Sequence, residues 1–341
     1  MAEDSETANF HRQYDRQIRL WGLAAQQRMS GAQVLVCGMR GLAAEVCKNI
    51  VLAGVGNVAL MDSALVIEED LGGQFFLGEE DVGKHSRAEA SVAGLQALNP
   101  LAKVTACKGD VDSLDDASIK QYDVVCMTAS SVSAQRRVGA LCRKHKKKFI
   151  SADAHGFFAI MWLDLLEHSY MSEETNEKNE TVKTIGTISY PAYEDAASFD
   201  WTQLLIDQET KKKNQTVGPA FYAIKAVHAA HDKSNSFLSD GDDAMVEQVT
   251  KELCATHKCD PKVFDSELIK LVGSQGEYQL SITCSIFGGM VADTIVRAIT
   301  GREKPIVNCL VFDGRVDGTG FVLKVGEVLE NETTEKGSLE E

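Results

Sequence analysis

Two glycines and a distant acid form an arrangement in this sequence that could bind a nucleotide. Gly38 and Gly41 follow an apolar run, and Asp62 lies 24 positions after Gly38. A glycine turn between a strand and a helix binds phosphates at the helix N-terminus, and the acid hydrogen-bonds the ribose. The complete glycine-rich turn of a dinucleotide-binding site has three glycines, and Arg40 occupies the position of the second one in this sequence. Two interpretations stay open: a nucleotide site, or a fold that keeps the turn after losing its ligand.

A second group of chemically active side chains is Cys254, His257 and Cys259. Three ligands at one helix end do not complete a zinc tetrahedron, so we predict no metal site. The formal charge of -15 argues against partnership with nucleic acid or anionic membranes. The polar start of the chain, and the lack of a run of about 18 uninterrupted apolar residues, predict neither a signal peptide nor a membrane span.

The elements that must position these residues alternate between strands and helices. Apolar runs at 34–37 and 58–61, with a helix between them, predict a βαβ unit that Asp62 closes. Further strands are predicted at 104–106, 124–127 and 149–151, and helices at 87–98 and 134–144. This alternation predicts an α/β fold with a doubly wound, mostly parallel sheet that helices cover on both faces.

Composition divides the chain into four parts. Residues 1–166 carry the alternating pattern, whereas residues 167–265 are poorer in apolar residues and predict a smaller inserted region. Residues 266–328 contain a long apolar helix beginning near Cys284 and a strand at 307–312, which we expect to pack on the first sheet. Residues 329–341 are rich in Glu and predict a disordered acidic tail.

The N-terminal segment YDRQIRLWG, residues 14–22, predicts an amphipathic helix. Tyr14, Ile18 and Trp21 share one helical face. Residue types alone predict that this face docks on the sheet domain and that Arg16 and Arg19 are solvated or salt-bridged.

The order of motifs resembles the adenylation domains of enzymes that activate ubiquitin-like modifiers. YDRQIRLWG is followed by the glycine turn and then by Gln74-Phe75, Val82-Gly83 and Asn99-Pro100. The similarity covers about 150 N-terminal residues and recurs over residues 288–300. The length and the QIRLWG spelling are most similar to the small, non-cysteine subunits of heterodimeric SUMO-activating enzymes. The resemblance implies a Rossmann-like, ThiF-type adenylation fold.

Several positions depart from the pattern of active family members. Gly72 and Gly73 replace an Asn-Arg pair that contacts phosphate, and Arg87 stands where a lysine is found. Residues 128–131, TASS, contain no magnesium-binding aspartate. No cysteine after residue 167 resembles the family's thioester acceptor. The resemblance therefore implies a pseudo-adenylation domain that is inactive alone.

By the same resemblance, a large cysteine-bearing subunit is the partner, SUMO is the modifier, and the partner binds most of the ATP and Mg. Arg16 is then the catalytic residue and contacts the partner's ATP in trans. A guanidinium suits this role because it stays charged and bonds two phosphate oxygens at once. Gly38, Gly41 and Asp62 are remnants of a cofactor site. The pathway implies the nucleus, with the cytoplasm as a second location.

Three other functions stay open from the residues. An NAD-dependent oxidoreductase would use the same glycine turn and Asp62, but we find no catalytic acid or base pair in the second half. A regulatory subunit for another ubiquitin-like modifier is usually longer. A homodimeric adenylating enzyme of the sulfur-carrier type would need the residues that Gly72, Gly73 and Ser131 replace.

Overall fold

A computed structural model of the chain describes residues 5–175, 181–197, 199–206, 217–236, 238, 241–276, 278–315 and 319–336. Its helices are α1 Ser5–Trp21, α2 Leu23–Gly31, α3 Gly41–Ala53, α4 Arg87–Leu98, α5 Asp116–Ile119, α6 Val132–Lys144, α7 Tyr193–Ala197, α8 Pro219–Ser234, α9 Asp243–His257, α10 Ser266–Ser274 and α11 Ser281–Thr300. Its strands are β1 Gln33–Cys37, β2 Asn57–Met61, β3 Lys103–Ala106, β4 Val124–Thr128, β5 Lys148–His155, β6 Phe158–Asp164, β7 Glu167–Thr175, β8 Thr181–Ser189, β9 Leu205–Ile206, β10 Cys309–Asp313, β11 Thr319–Lys324 and β12 Leu329–Lys336.

The central sheet has the strand order β3-β2-β1-β4-β5-β6-β10-β11-β9. The strands from β3 to β5 are parallel, and β6 begins an antiparallel extension. The predicted α/β fold with a doubly wound sheet is confirmed. Its strand order reverses between β1 and β4, and ligands of such folds bind outside the carboxyl ends of the strands at this point.

Helices cover both faces of the central sheet, as the alternation predicted. Val34 and Val36 of β1 face a core that also contains residues of α3, α4 and α11, which we name the α3 face. Leu35 and Cys37 face a core with residues of α6, α8 and α10, which we name the α8 face. The two cores follow from the strand's period of two, because alternate side chains point to opposite sides.

The apolar helix α11 packs back on the first part of the chain, which confirms that expectation. It begins at Ser281 and buries Cys284, Phe287 and Val291. A Cβ on Gly288 would lie 2.6 Å from the Cβ of Glu45, so glycine allows α11 and α3 to approach closely. Among the described residues, α11 alone has the length and apolar composition of a membrane span, and 56% of that window is buried inside the protein.

The second sheet has the order β12-β8-β7 and joins residues that the sequence assigned to separate parts. The prediction of a disordered tail over 329–341 was wrong for residues 329–336, which form β12 and pair with β8. Residues 337–341 lie outside the described residues. The boundaries at 167 and 265 stay a prediction. The pairing of β12 with β8 joins residues on both sides of the boundary at 265, and α8 packs on β6 and β10 of the central sheet.

Candidate functional site

The glycine turn after β1 has the geometry that the sequence predicted. Gly38 has φ +82°, and a Cβ there would lie 2.1 Å from the backbone oxygen of Thr128. Only glycine satisfies both conditions, because other residues rarely adopt this φ and any side chain would collide. The backbone N–H of Met39 donates to Asp62 at 2.8 Å. The structure therefore brings Gly38, Gly41 and Asp62 to one edge of the sheet.

The chain itself fills the N-terminus of α3, where a nucleotide phosphate would bind. The backbone N–H of Leu42 donates to Gln279 Oε1 at 2.9 Å. A Cβ on Gly41 would lie 2.8 Å from the backbone oxygen of Gly73, and both Gly41 and Leu42 are buried. One of the N–H groups that attract anions at a helix start is thus already engaged, and the partly negative backbone oxygen of Gly73 lies close to Gly41. The residues present do not fit a phosphate group here.

Asp62 and Arg87 are engaged with neighbours of their own chain. Arg87 Nε donates to Asp70 Oδ2 at 2.6 Å, and Arg87 Nη1 lies 3.7 Å from Asp62 Oδ2. Arg40 adds a second guanidinium at 3.8 Å from Asp70. Burial raises the pKa of Asp62, while Arg87 and two backbone N–H groups oppose this. Two carboxylates therefore face two guanidinium groups, and little positive charge remains for a phosphate.

The loop after β4 satisfies its own polar groups. Thr128 Oγ1 donates to the backbone oxygen of Gly38 at 2.7 Å, and Ser131 Oγ accepts from the N–H of Ala134 as the N-cap of α6. Asp153 of β5 lies buried under this loop, where it accepts from Gln135 Nε2 at 2.8 Å and from the loop backbone. Burial raises the pKa of Asp153.

Three residues of this region were not identified from the sequence: Gln279, Asp70 and Asp153. Asp70 stands in the acidic run from 68 to 70, which has the composition of a solvated turn. Gln279 and Asp153 are distant in sequence from the residues they contact, so no local spacing signals them.

The N-terminal helix docks on the sheet domain through the predicted face. Tyr14 is 2% exposed, and its hydroxyl accepts from Asn99 Nδ2 at 2.8 Å. Its ring lies beside Gly54, where a Cβ would be 2.7 Å from the tyrosine. Ile18 and Trp21 are half-buried on the same face. The YDRQIRLWG and Asn99-Pro100 motifs therefore meet at one anchor that holds α1.

Arg16 points away from this anchor. Its side chain is exposed and makes no ion pair or hydrogen bond with any described residue, whereas Arg19 pairs with Asp15 at 3.0 Å. The structure does not bring Arg16 together with Gly38, Gly41 or Asp62, at least within the described residues. An exposed, unpaired guanidinium held two residues from a buried anchor is available to bind an anion on another molecule.

The three potential metal ligands near the end of α9 are otherwise occupied. His257 stacks on Trp201 with ring centroids 3.9 Å apart, and its Nδ1 lies 2.7 Å from the backbone oxygen of Phe199. The sulfur atoms of Cys254 and Cys259 lie 3.9 Å apart. Within the described ranges, no cluster of three or more potential ligands could hold a metal ion.

Comparison with known proteins gives one consistent family. The ThiF family model matches residues 14–322. SUMO-activating enzyme subunit 1 of Xenopus tropicalis is 33% identical over 326 residues, which cover 89% of this chain and 92% of the relative. The protein of the same name from Bos taurus is 30% identical over 336 residues, covering 92% and 94%. That from Dictyostelium discoideum is 30% identical over 316 residues, covering 91% of each. The chain belongs to the ThiF family.

Proposed function

We propose that the chain is the small, non-cysteine subunit of a heterodimeric SUMO-activating enzyme. In this role it supports ATP-dependent adenylation of the SUMO C-terminus and the thioester formation that follows on its partner. The ThiF match and the relatives named SUMO-activating enzyme subunit 1, which align over nearly the whole chain, support the proposal. We further propose that the protein acts in the nucleus.

The occupied N-terminus of α3 is the observation that supports ATP binding by the partner and not by this chain. Gln279 accepts from the N–H of Leu42, the backbone oxygen of Gly73 lies close to Gly41, and Arg87 is held by Asp62 and Asp70. A nucleotide would have to displace these contacts without gaining a free cation. We therefore propose that the partner binds ATP and Mg and that this chain is inactive alone.

Arg16 is proposed to contact the partner's ATP phosphates in trans. It is exposed and unpaired within the described part of the chain, and Leu20, one turn later on the same side of α1, is 76% exposed. An exposed leucine beside a free arginine is typical of a surface that a partner covers. The guanidinium would stabilise charge that develops on the phosphates during adenylation.

A second group of exposed apolar residues supports docking of the partner on the α3–α11 pair. Ile282 and Ile286 lie one turn apart on α11 and are both exposed, and Phe75 is exposed as well. Lys48 Nζ of α3 lies 5.3 Å from the centre of the Phe75 ring, and Lys48 pairs with Glu45, which accepts from Ser285 Oγ of α11 at 2.8 Å. We define this group, Phe75, Ile282 and Ile286, as the α11 surface, and propose that the large cysteine-bearing subunit binds it.

ATP–pyrophosphate exchange tests the proposal. The full chain alone should give no exchange, whereas the chain with a large cysteine-bearing subunit and SUMO should give robust exchange. Arg16→Ala should lower the exchange rate about 10³-fold, because trans-acting arginines have effects of this size on phosphate chemistry. Arg16→Lys should restore only part of the rate, since lysine cannot form the bidentate contact.

Arg19→Ala is the matched control, because Arg19 lies on the same helix but is paired with Asp15. Its exchange rate should match that of the unaltered chain. Ile282→Glu together with Ile286→Glu should abolish co-purification with the partner while the chain stays folded. Exchange by the lone chain would refute the proposal that it is inactive without its partner. Exchange with another ubiquitin-like modifier but not with SUMO would refute SUMO as the modifier.

A further inference from the structure

A cavity of about 370 Å³ lies on the α8 face of the sheet, opposite to the glycine turn's helix α3. Its volume is within the range of small-molecule sites. Four aromatic side chains contribute to its walls: Trp162 of β6, Tyr193 of α7, Trp201, and Phe221 of α8. These walls would pack against a planar or apolar body and exclude water from it.

Trp162 presents a hydrogen-bond donor that the protein leaves unused. Its Nε1 atom is buried and has no hydrogen-bond partner among the described residues, and the residue is 4% exposed. Native proteins pair nearly all buried polar groups, so this donor is an exception, and it belongs to a residue that lines the cavity.

Two cations at the cavity also lack a counter-ion. Lys225 of α8 and Arg136 of α6 line it, and neither forms an ion pair within 4 Å with a described residue. The Lys225 ammonium lies 5.9 Å from the centre of the Phe221 ring. Burial lowers the pKa of Lys225, Cys309 and Asp153 oppose this, and Arg136 lowers the pKa further because the two positive charges repel. An anion would relieve both the desolvation and the repulsion.

The other charged groups that line the cavity determine which sign of charge a ligand should carry. Lys233 is neutralised by Glu252 at 2.7 Å. Burial lowers the pKa values of His228 and His257, so both rings are neutral at neutral pH. Asp232 remains as one negative charge, and its Oδ1 accepts from the N–H of Ser133 at 3.3 Å. Among the residues that line the cavity, two cations without an ion pair and one carboxylate leave a net charge of +1, which favours an anion.

We propose that this cavity is a binding site for a small aromatic carboxylate. The carboxylate group pairs with Lys225 and Arg136. The ring packs among the aromatic walls. The site lies on the other face of the sheet from Gly38, Gly41 and Asp62, so its ligand is separate from the nucleotide of the adenylation reaction.

Isothermal titration calorimetry of the full chain tests the site with 3-phenylpropanoate and its neutral isostere, 3-phenylpropanamide. We expect the carboxylate to bind at least about tenfold more tightly than the amide, because hydrogen bonds to a charged group are roughly twice as strong as neutral ones. Binding of the carboxylate should also change the fluorescence of Trp162 and Trp201. A Trp21→Phe background removes the one tryptophan outside the cavity lining.

Lys225→Met should weaken binding of the carboxylate about tenfold and leave binding of the amide unchanged. It should also raise the Tm of the free chain, because a buried ammonium without a counter-ion is removed. Lys233→Gln is the matched control: this lysine lines the same cavity on the same helix but is already paired, so affinity should change less than about threefold.

If Lys225→Met fails to fold, Arg136→Gln at the exposed edge of the cavity provides the same test, with an expected loss of about tenfold. The proposal is overturned if the carboxylate shows no saturable binding below about 1 mM, or if the amide binds equally well. It is also overturned if neither cation variant changes the affinity for the carboxylate.

Discussion

Asn99 holds the N-terminal helix through a buried hydrogen bond to Tyr14, and its removal is the most quantitative test of the fold around α1. Asn99 is fully buried, and its Nδ2 donates to Tyr14 Oη and to the backbone oxygen of Val51, each at 2.8 Å. Its Oδ1 accepts from the N–H of Leu101 at 3.1 Å. Asn99→Ala therefore removes three hydrogen bonds at once.

Each of these bonds contributes about 1 kcal/mol net, so Asn99→Ala should lower the free energy of unfolding by about 3 kcal/mol. Tyr14→Phe keeps the ring beside Gly54 and removes only the hydroxyl, so it should cost about 1 kcal/mol. The two side chains share one bond. The double variant should therefore lose about 1 kcal/mol less than the sum of the single variants.

Urea denaturation of the full chain, followed by circular dichroism, measures all three variants against the unaltered protein. Asn57→Ala is a suitable control, because Asn57 is half-buried and makes one long side-chain bond, at 3.4 Å to the backbone oxygen of Ala32. Its cost should stay below about 1 kcal/mol. Additive effects of Tyr14→Phe and Asn99→Ala, within about 0.3 kcal/mol, would refute the shared anchor.

Three further outcomes follow from the same contacts. Gly38→Ala should destabilise the protein by about 3 kcal/mol, because its Cβ would collide with the backbone oxygen of Thr128. Gly83→Ala should cost about 1 kcal/mol, because Gly83 also has a positive φ but no atom within 4 Å of a Cβ. Equal urea midpoints for the two variants would contradict the predicted collision at Gly38. Burial raises the folded pKa of Asp62, so its contribution to stability is present below the ordinary aspartate pKa and is lost as pH rises through the folded value. The Tm difference between the protein and Asp62→Asn should therefore fall as the pH is raised above the ordinary aspartate pKa, and a constant difference would contradict this. A chain ending at residue 328 lacks β12 and should show a lower Tm than one ending at 336, so equal values would mean that β12 adds no stability.

The parallel half of the sheet was predictable because its signals are local. Buried parallel strands are continuous apolar runs, and the runs at 34–37, 58–61 and 124–127 each lie within one observed strand. The docking face of α1 was predictable for the same reason, since Tyr14 and Ile18 follow the period of the helix. The glycine turn of the site was also predictable, because its signal lies in the few residues between a strand and a helix.

The tail was predicted wrongly because most of the groups that compensate its charges are distant in sequence. Residues 329–336 are acidic and lack apolar periodicity, so composition favoured disorder. In the structure Lys304 lies 2.9 Å from both Glu330 and Glu332, and Lys324 also pairs with Glu330. These lysines neutralise the strand, and the hydroxyl of Tyr170 donates to Glu332 at 2.6 Å. Only the folded chain brings these partners together.

The distant contacts also decide how the α3 N-terminus would respond to substitution. Gln279 is a flexible side chain, so Gln279→Gly would free the N–H of Leu42. The backbone oxygen of Gly73 would still face Gly41, and Arg87 would still be held between Asp62 and Asp70. A phosphate needs both free amides and an unpaired cation. Because these obstacles are independent, no single substitution at this end of α3 should restore nucleotide binding, and Gln279→Gly should leave ATP affinity as low as in the unaltered chain when both are measured by calorimetry.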